Sequence, residues 1–163
     1  MLVRSAAEST RAILSCQREC GMAYDQGNIF AKILRGEIAA QKFFEDEWTI
    51  AILDVMPQSD GHSLVIPKCA AENIFELDPA FASAVMRTGQ LVARTVRDVF
   101  AADGVTLMQF NGAEAGQTVF HFHLHVIPRY AGKPLRKHGR GLANPERLTE
   151  QAARLRAALA SEA

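Results

Sequence analysis

Three histidines at alternate positions, His121, His123 and His125, form the group of side chains best suited to chemistry in this sequence. Their separation of two residues matches the period of a β-strand, so a strand would turn all three imidazoles to one face. Five histidines scattered over 163 residues produce this spacing with a probability of about 0.005. The spacing therefore indicates a function that requires several imidazoles together.

Three interpretations of this histidine group are open. The rings could form the solvent-facing side of a strand, although Thr, Lys or Glu more usually fill such a face. They could bind zinc or iron, but a metal needs converging rings and usually a carboxylate, and the outer rings of a straight strand lie about 13 Å apart. They could act in nucleophilic and acid–base chemistry at phosphorus, because imidazole is a nucleophile and a proton carrier near neutral pH.

The residues just before the histidines favour chemistry at phosphorus. The run 111–117 reads Asn-Gly-Ala-Glu-Ala-Gly-Gln. Its two glycines permit close approach of the backbone, and its N–H groups and amide side chains suit phosphate oxygens. We therefore expect a phosphate-binding turn that leads directly into the histidine strand.

The elements that must position these groups are predicted from hydrophobic periodicity and from turn residues. A short helix is expected over 28–35, with Asn28 as its N-cap and Gly36 at its end. Asp78 and Pro79 begin the longest helix, which should extend to about residue 102. A last helix begins at Asn144. The expected strands cover 42–45, 48–55, 62–67, 105–110 and 118–127.

The order of these elements predicts an α+β fold, because neighbouring strands follow one another in hairpin-like pairs with helices between and around them. The sheet is expected to be antiparallel. The longest helix should bury Phe81, Val85, Val92, Val96 and Val99. In the histidine strand, the face opposite the imidazoles should pack on a helix through Phe120, Phe122, Leu124 and Val126.

Length and composition indicate a single globular domain, since 163 residues with 48% hydrophobic side chains can bury a substantial core. The 18 basic residues are balanced by 18 acidic ones, so we expect no nucleic-acid partner and no membrane partner. The three cysteines are too few for a disulfide framework and are typical of a reducing compartment. A cytoplasmic protein is therefore expected.

Both ends of the chain are interpreted as additions to a domain that covers residues 25–130. Residues 1–24 are expected to be an extension of low order rather than a targeting segment, and Met22 is an alternative start. Cys16 and Cys20 are expected to be ordinary thiols, because no second ligand pair follows at zinc-site spacing. Residues 131–163 comprise a basic loop and the last helix. The charges of the loop either form a solvated surface or steer an anionic substrate.

The segment His121-Phe122-His123-Leu124-His125-Val126-Ile127 resembles the His-φ-His-φ-His-φ-φ signature of the histidine triad (HIT) superfamily, in which φ is an apolar residue. The resemblance extends over 28–129 and is strongest for the Hint branch. His125 argues against the uridylyltransferase branch, which carries Gln at that position. The resemblance implies a HIT-like α+β fold, and a homodimer joined through the long helix and a strand edge.

The resemblance also implies a hydrolase or nucleotidyl transferase that acts at the α-phosphate of AMP-linked substrates such as nucleoside phosphoramidates, without a cofactor or a metal. In that scheme His123 is the nucleophile and forms a covalent nucleotidyl-histidine. His121 orients the nucleophile. Proton delivery to the leaving group falls to His125 with Thr118, and His62 completes the cluster.

The nucleotide-binding residues implied by the resemblance fall into three groups. Asp54 would accept hydrogen bonds from ribose hydroxyls, or it could merely cap a turn. Phosphate oxygens would be held by Asn111 and Gln117, in the turn that contains Gly116. The base pocket would be lined by Ile29, Phe30, Ile33 and Val55, which could equally be ordinary core residues.

Two departures from the family pattern affect metal binding and specificity. Many bacterial relatives bind structural zinc through a Cys-x-x-Cys in the opening helix, where this chain has Asn28 and Ala31, and a histidine after the Pro-Lys, where it has Cys69-Ala70-Ala71. No zinc site is therefore expected. The chain also continues past the triad into the basic loop, on the side where the leaving group binds in the family. Dinucleoside polyphosphate hydrolysis, a nucleotide-binding regulator and a metalloprotein stay open as alternatives.

Overall fold

The computed structural model describes residues 24–137 and 141–161. Five strands form one antiparallel sheet in the order β1-β2-β3-β5-β4. The predicted α+β class with an antiparallel sheet and flanking helices is confirmed. The helices are α1 (Ile29–Leu34), α2 (Pro79–Phe100) and α3 (Pro145–Ser161), and the strands are β1 (Lys42–Glu45), β2 (Thr49–Leu53), β3 (Ser63–Pro67), β4 (Gly104–Met108) and β5 (Leu124–Arg129).

Helix ends follow the capping residues that the sequence offers. The Asn28 side chain accepts from the Ala31 N–H at 2.9 Å and begins α1. Asp78 accepts from the Ala80 N–H at 2.7 Å and begins α2. These side chains satisfy backbone N–H groups that have no partner inside the helix. The predicted starts of both helices are therefore confirmed.

The sheet buries apolar side chains on both of its faces. Alternate residues of β2 and β3, among them Leu53 and Val65, pack with α2 and α3 in the larger of two apolar clusters. The intervening residues, such as Ile52 and Leu64, form a smaller cluster with Phe30 of α1. Four of the five predicted core residues of α2 are buried, and Val99 is partly buried.

One prediction about the histidine strand is wrong. β5 begins at Leu124 rather than at residue 118, so His121 and His123 precede it. The reason is the hydrogen-bond partner: the Phe122 N–H donates to the carbonyl of Ala71, in a loop rather than in a strand. Phe120, expected in the core, is 38% exposed. The remaining members of that predicted face, Phe122, Leu124 and Val126, do lie in the larger cluster.

Cysteine chemistry differs from the expectation. Cys69 is buried in the larger cluster and is disulfide-bonded, so the low cysteine count does not by itself indicate a reducing compartment. Cys16 and Cys20, together with most of the predicted extension, lie outside the described residues. Among the helices that the structure describes, none is long and apolar enough to cross a membrane.

Candidate active site

A largely apolar cavity of about 490 Å³ lies on the α1 side of the sheet. Leu64 of β3 stands opposite His125 of β5 in the register of the sheet, so both side chains share this face. The walls include many of the residues that the sequence predicted for the site. These are Ile29, Phe30, Ile33, Asp54, Val55, Gly116, Gln117, Thr118, His123 and His125.

His123 is held with its proton on a defined nitrogen. Its Nδ1 lies 2.7 Å from the backbone carbonyl oxygen of His121, and a carbonyl oxygen only accepts. Nδ1 must therefore donate, and the neutral ring carries its lone pair on Nε2. The rings of Phe30 and His125 pack edge-on against it, each with a centroid distance of 4.9 Å. His123 is thus a buried imidazole whose neutral form is protonated on Nδ1.

His125 and His62 form a hydrogen-bonded pair whose direction is set by the backbone. The Gln58 N–H donates to Nδ1 of His62 at 3.1 Å, so a neutral His62 carries its proton on Nε2. That nitrogen lies 3.0 Å from Nδ1 of His125. Nδ1 of His125 accepts, and its own proton is on Nε2. In the neutral pair, this protonated Nε2 thus belongs to the ring of His125, which packs against His123.

Asp54 adds a negative charge to this pair. Its Oδ2 lies 3.5 Å from Nδ1 of His62, and its Oδ1 accepts from the Met56 N–H at 2.8 Å. The carboxylate is buried at the end of β2 and lines the cavity. It can stabilise an additional proton on the histidine pair and can also accept from a ligand hydroxyl.

His121 is fully buried, and burial lowers its pKa to about 4, against a weaker raising effect of its hydrogen bond to the Pro67 carbonyl. The ring is therefore neutral at pH 7. Its Nε2 donates to Pro67 at 3.0 Å, and its Nδ1 accepts from the hydroxyl of Tyr24. Tyr24 was not predicted from the sequence. A single tyrosine 97 positions before His121 belongs to no spacing pattern from which its role could be predicted.

The amide side chains of the turn bind the protein itself in this structure. Gln117 accepts from the Gly112 N–H at 2.7 Å and donates to the carbonyl of Glu72 at 2.6 Å. Asn111 accepts from the Ile74 N–H at 2.8 Å and is not part of the cavity wall. Both amides hold the turn in shape, so their binding of phosphate stays a prediction.

The carboxyl-terminal segment packs against the loop between β2 and β3, which carries Gln58 and His62. The Arg136 N–H donates to the Gln58 carbonyl at 2.9 Å, and Arg136 also pairs with Asp60. From α3, the Gln151 side chain accepts from the Gly61 N–H at 3.2 Å. The segment predicted as a basic loop and helix therefore supports the back of the site.

One metal-binding arrangement exists among the described residues. Ligand atoms of Asp54, His62 and His125 all lie within 4.8 Å of one another. The facing nitrogens of the two histidines are already joined by their hydrogen bond. At two positions where the resemblance implies ligands of a structural zinc, Asn28 caps α1 and Ala31 has no donor atom, and the absence of that zinc site stays an expectation.

Comparison with known proteins identifies the family. A model of the HIT domain matches residues 35–132. The Protein hit of Bacillus subtilis is 43% identical over 102 residues, which are 63% of this chain and 70% of that protein. Adenylylsulfatase HINT3 of Arabidopsis thaliana is 38% identical over 116 residues, 68% of this chain, and the chain spans 59% of the plant protein.

Solved structures agree with this assignment. A Hit-like protein from Bartonella henselae superimposes with a TM-score of 0.80 at 44% identity, covering 84% of this chain and 99% of that one. A hypothetical histidine triad nucleotide-binding protein from Sulfolobus tokodaii gives a TM-score of 0.75 at 33% identity, covering 81% of this chain and 91% of that one. The resemblance noted for the triad segment is confirmed. The chain belongs to the HIT superfamily of nucleotide-binding hydrolases and transferases.

Proposed function

We propose that the protein hydrolyses AMP-linked conjugates, and adenosine phosphoramidates in particular, through a covalent nucleotidyl-histidine at His123. One observation carries this proposal: Nδ1 of His123 lies 2.7 Å from a carbonyl oxygen, which places the lone pair of the neutral ring on Nε2, the nitrogen proposed to attack phosphorus. A nucleophile held in one tautomer beside a proton donor is the arrangement that covalent catalysis requires.

In the first step Nε2 of His123 attacks the α-phosphorus, and the bond from phosphorus to the leaving group breaks. The pair of His62 and His125 begins this step with one additional proton, whose charge is offset by Asp54 at 3.5 Å. His125 gives its Nε2 proton to the leaving amine. It takes the Nε2 proton of His62 across the 3.0 Å bond. The additional proton is then on Nδ1 of His62, towards Asp54 and in place of the hydrogen bond from the Gln58 N–H, and the pair is neutral.

In the second step the same pair acts as a base. His125 now carries its proton on Nδ1 and a lone pair on Nε2. Water attacks the phosphorus while His125 accepts the water proton, and the bond from phosphorus to Nε2 of His123 breaks. AMP is released, His123 returns to its neutral tautomer, and the pair regains its additional proton.

The remaining walls of the cavity suit the nucleoside. Phe30, Ile33 and Val55 provide apolar surface for a base, and Asp54 provides an acceptor for ribose hydroxyls. Thr118 lines the same cavity and is proposed to assist proton delivery to the leaving group. The name of the plant relative, an adenylylsulfatase, supports an AMP moiety joined to a leaving group as the substrate class.

The proposal includes a homodimer. Within the described residues, β4 is paired only with β5 and forms one end of the sheet. The opposite edge strand, β1, is contacted by α3, whose Arg156 donates to the Lys42 carbonyl at 2.7 Å. An open edge such as β4 is a template for pairing with a second copy of the chain.

The test is hydrolysis of an adenosine phosphoramidate by chelator-treated protein. We expect turnover by the wild type and a loss of at least about a thousandfold in His123→Ala, because the covalent route is removed. Activity of the His123 variant equal to that of wild type would contradict the proposal, and so would activity that a chelator abolishes and zinc restores. If phosphoramidates are not hydrolysed, hydrolysis of a dinucleoside polyphosphate is measured next.

A further inference from the structure

The proposed mechanism gives no role to Tyr24, although this residue contacts the triad. Its hydroxyl donates to Nδ1 of His121, and the two rings meet edge-on with centroids 5.6 Å apart. The two residues are 97 positions apart in the sequence. The contact therefore joins the start of the described chain to the centre of the site.

The direction of this hydrogen bond follows from the other nitrogen of His121. Nε2 lies 3.0 Å from the carbonyl oxygen of Pro67, which only accepts. A neutral ring carries a single N–H, and that N–H must be on Nε2. Nδ1 therefore presents a lone pair inside the protein, and the Tyr24 hydroxyl is its donor. Without that hydroxyl a buried acceptor would lose its partner.

Two contacts make the position of His123 depend on that of His121. Its backbone carbonyl accepts the Nδ1 proton of His123 at 2.7 Å. Phe30 packs edge-on against both rings, with centroid distances of 6.2 Å to His121 and 4.9 Å to His123. A tilt of His121 would therefore change the carbonyl that orients His123 and the aromatic wall beside it.

We propose that Tyr24 is a positioning residue, which fixes the ring of His121 and thereby holds His123 with Nδ1 protonated and Nε2 ready to attack. Tyr24 is not part of the cavity wall and touches no reacting atom. This inference rests on the proposed function, since it assigns the support of the same nucleophile.

The kinetic test compares Tyr24→Phe with Tyr130→Phe, a matched pair because the chain contains two tyrosines. Tyr130 follows β5 and lies in a separate groove beside the basic loop. We expect kcat of Tyr24→Phe to fall about tenfold with KM changed less than about twofold, because the nucleophile is misplaced while substrate contacts stay. Tyr130→Phe should match wild type. A kcat of Tyr24→Phe equal to that of wild type would overturn the proposal.

A double substitution shows whether Tyr24 acts through His121. In a His121→Ala background, Tyr24→Phe should cause no further loss of kcat, because the ring that it positions is already absent. The same fold loss in both backgrounds would show that Tyr24 acts elsewhere, and would overturn the assignment.

A measurement without substrate separates this inference from the proposed function. Nitrogen-15 NMR of histidine-labelled protein reports the protonation of each ring nitrogen. In Tyr24→Phe we expect the chemical shift of Nδ1 of His121 to move towards that of an unprotonated nitrogen that accepts no hydrogen bond. We also expect His123 to populate a second tautomer. Changed spectra in proteins that hydrolyse nothing would support the positioning role and refute the activity. Unchanged signals of His121 and His123 would refute the positioning role.

Discussion

The partners of the ring nitrogens decide what each histidine of the site can do. His123 donates from Nδ1 to a carbonyl, and His62 accepts at Nδ1 from a backbone N–H. Backbone groups cannot change between donor and acceptor, so in the ligand-free site they set the tautomers of these neutral rings. The proposed mechanism uses this arrangement, with His123 as the nucleophile and its neighbour His125 as the proton donor. The proposed chemistry thus depends on hydrogen bonds that the fold supplies.

Burial of His121 predicts a dependence of stability on pH. Its pKa is about 4 in the folded protein and about 6.5 in an unfolded chain. Between these values the unfolded chain binds a proton that the folded protein does not, so the free energy of unfolding falls as pH is lowered from about 6.5 to 4. The lowered pKa of His121 accounts for about 3 kcal/mol of this fall in the free energy of unfolding.

Urea unfolding of wild type and His121→Gln across this pH range measures that contribution. The variant has no titratable group at the position, so its stability should fall less steeply as the pH is lowered. The difference between the two slopes is the quantity of interest, because other groups titrate equally in both proteins. If the free energies of unfolding of the two proteins changed in parallel with pH, the pKa of His121 would be the same in the folded and unfolded chains, which would contradict the prediction.

The sequence predicted much of this residue-level picture but not all of it. The spacing of the histidines predicted that they act together, and the resemblance added His62 and Asp54, which the fold places beside His125. The sequence did not predict the contact of Tyr24 with the site, because a single aromatic residue outside a periodic pattern has no signature. Nor did it predict that the Gln117 amide is used within the turn. Partners across a fold are not encoded in residue type.

At the level of elements, the least predictable part was the segment between the turn and β5. Residues 118–127 alternate as a strand does, yet the strand covers only Leu124–Arg129. Periodicity reports which side chains share a face, but not whether a neighbouring backbone is present to pair. The Phe122 N–H finds its acceptor in a loop, at Ala71. The helix starts were predicted correctly because capping is local.

The loop between β2 and β3 depends on Gly61. Its φ of +78° is in the left-handed region, and a Cβ there would lie 2.5 Å from the ring of Phe100. We expect Gly61→Ala to lower the free energy of unfolding by about 2 to 4 kcal/mol, through backbone strain and overpacking. It should also reduce kcat, because His62 is the next residue.

Gly104→Ala is the matched control for this substitution. Gly104 begins β4, and a Cβ there would meet no atom within 4 Å. Chemical unfolding and steady-state kinetics of both variants check the prediction. If the two alanine variants were equally stable, the close packing of the loop on α2 would not be important.

At the scale of the whole molecule, the site is supported by segments far apart in the sequence. Leu148, Ala152 and Leu155 of α3 lie in the same apolar cluster as the buried face of α2. The predicted division of the chain at residue 130 stays a prediction, and the last helix shares the core with the residues before that point. Balanced charge, 18 basic against 18 acidic residues, is consistent with a small-molecule substrate rather than a polyanion.

The proposed dimer makes a prediction at the open edge of the sheet. Leu107 of β4 is 42% exposed, and Leu142 in the carboxyl-terminal segment is 76% exposed. Leu107→Glu should shift the protein from dimer to monomer in size-exclusion chromatography with light scattering, because a charge would be buried at the interface. Leu142→Glu should stay dimeric. A monomeric wild type, or a dimeric Leu107→Glu, would contradict pairing through β4.

The central claim is that His123 becomes covalently bonded to the nucleotide, and trapping that bond tests it most directly. Wild-type protein is mixed with an adenosine phosphoramidate, quenched within one turnover, and analysed by intact mass and peptide mapping. The mechanism predicts an adenylyl group on His123 that disappears as AMP is formed, and no adduct in His123→Ala. Turnover without an adduct, or an adduct on a different residue, would contradict the assignment of His123 as the nucleophile.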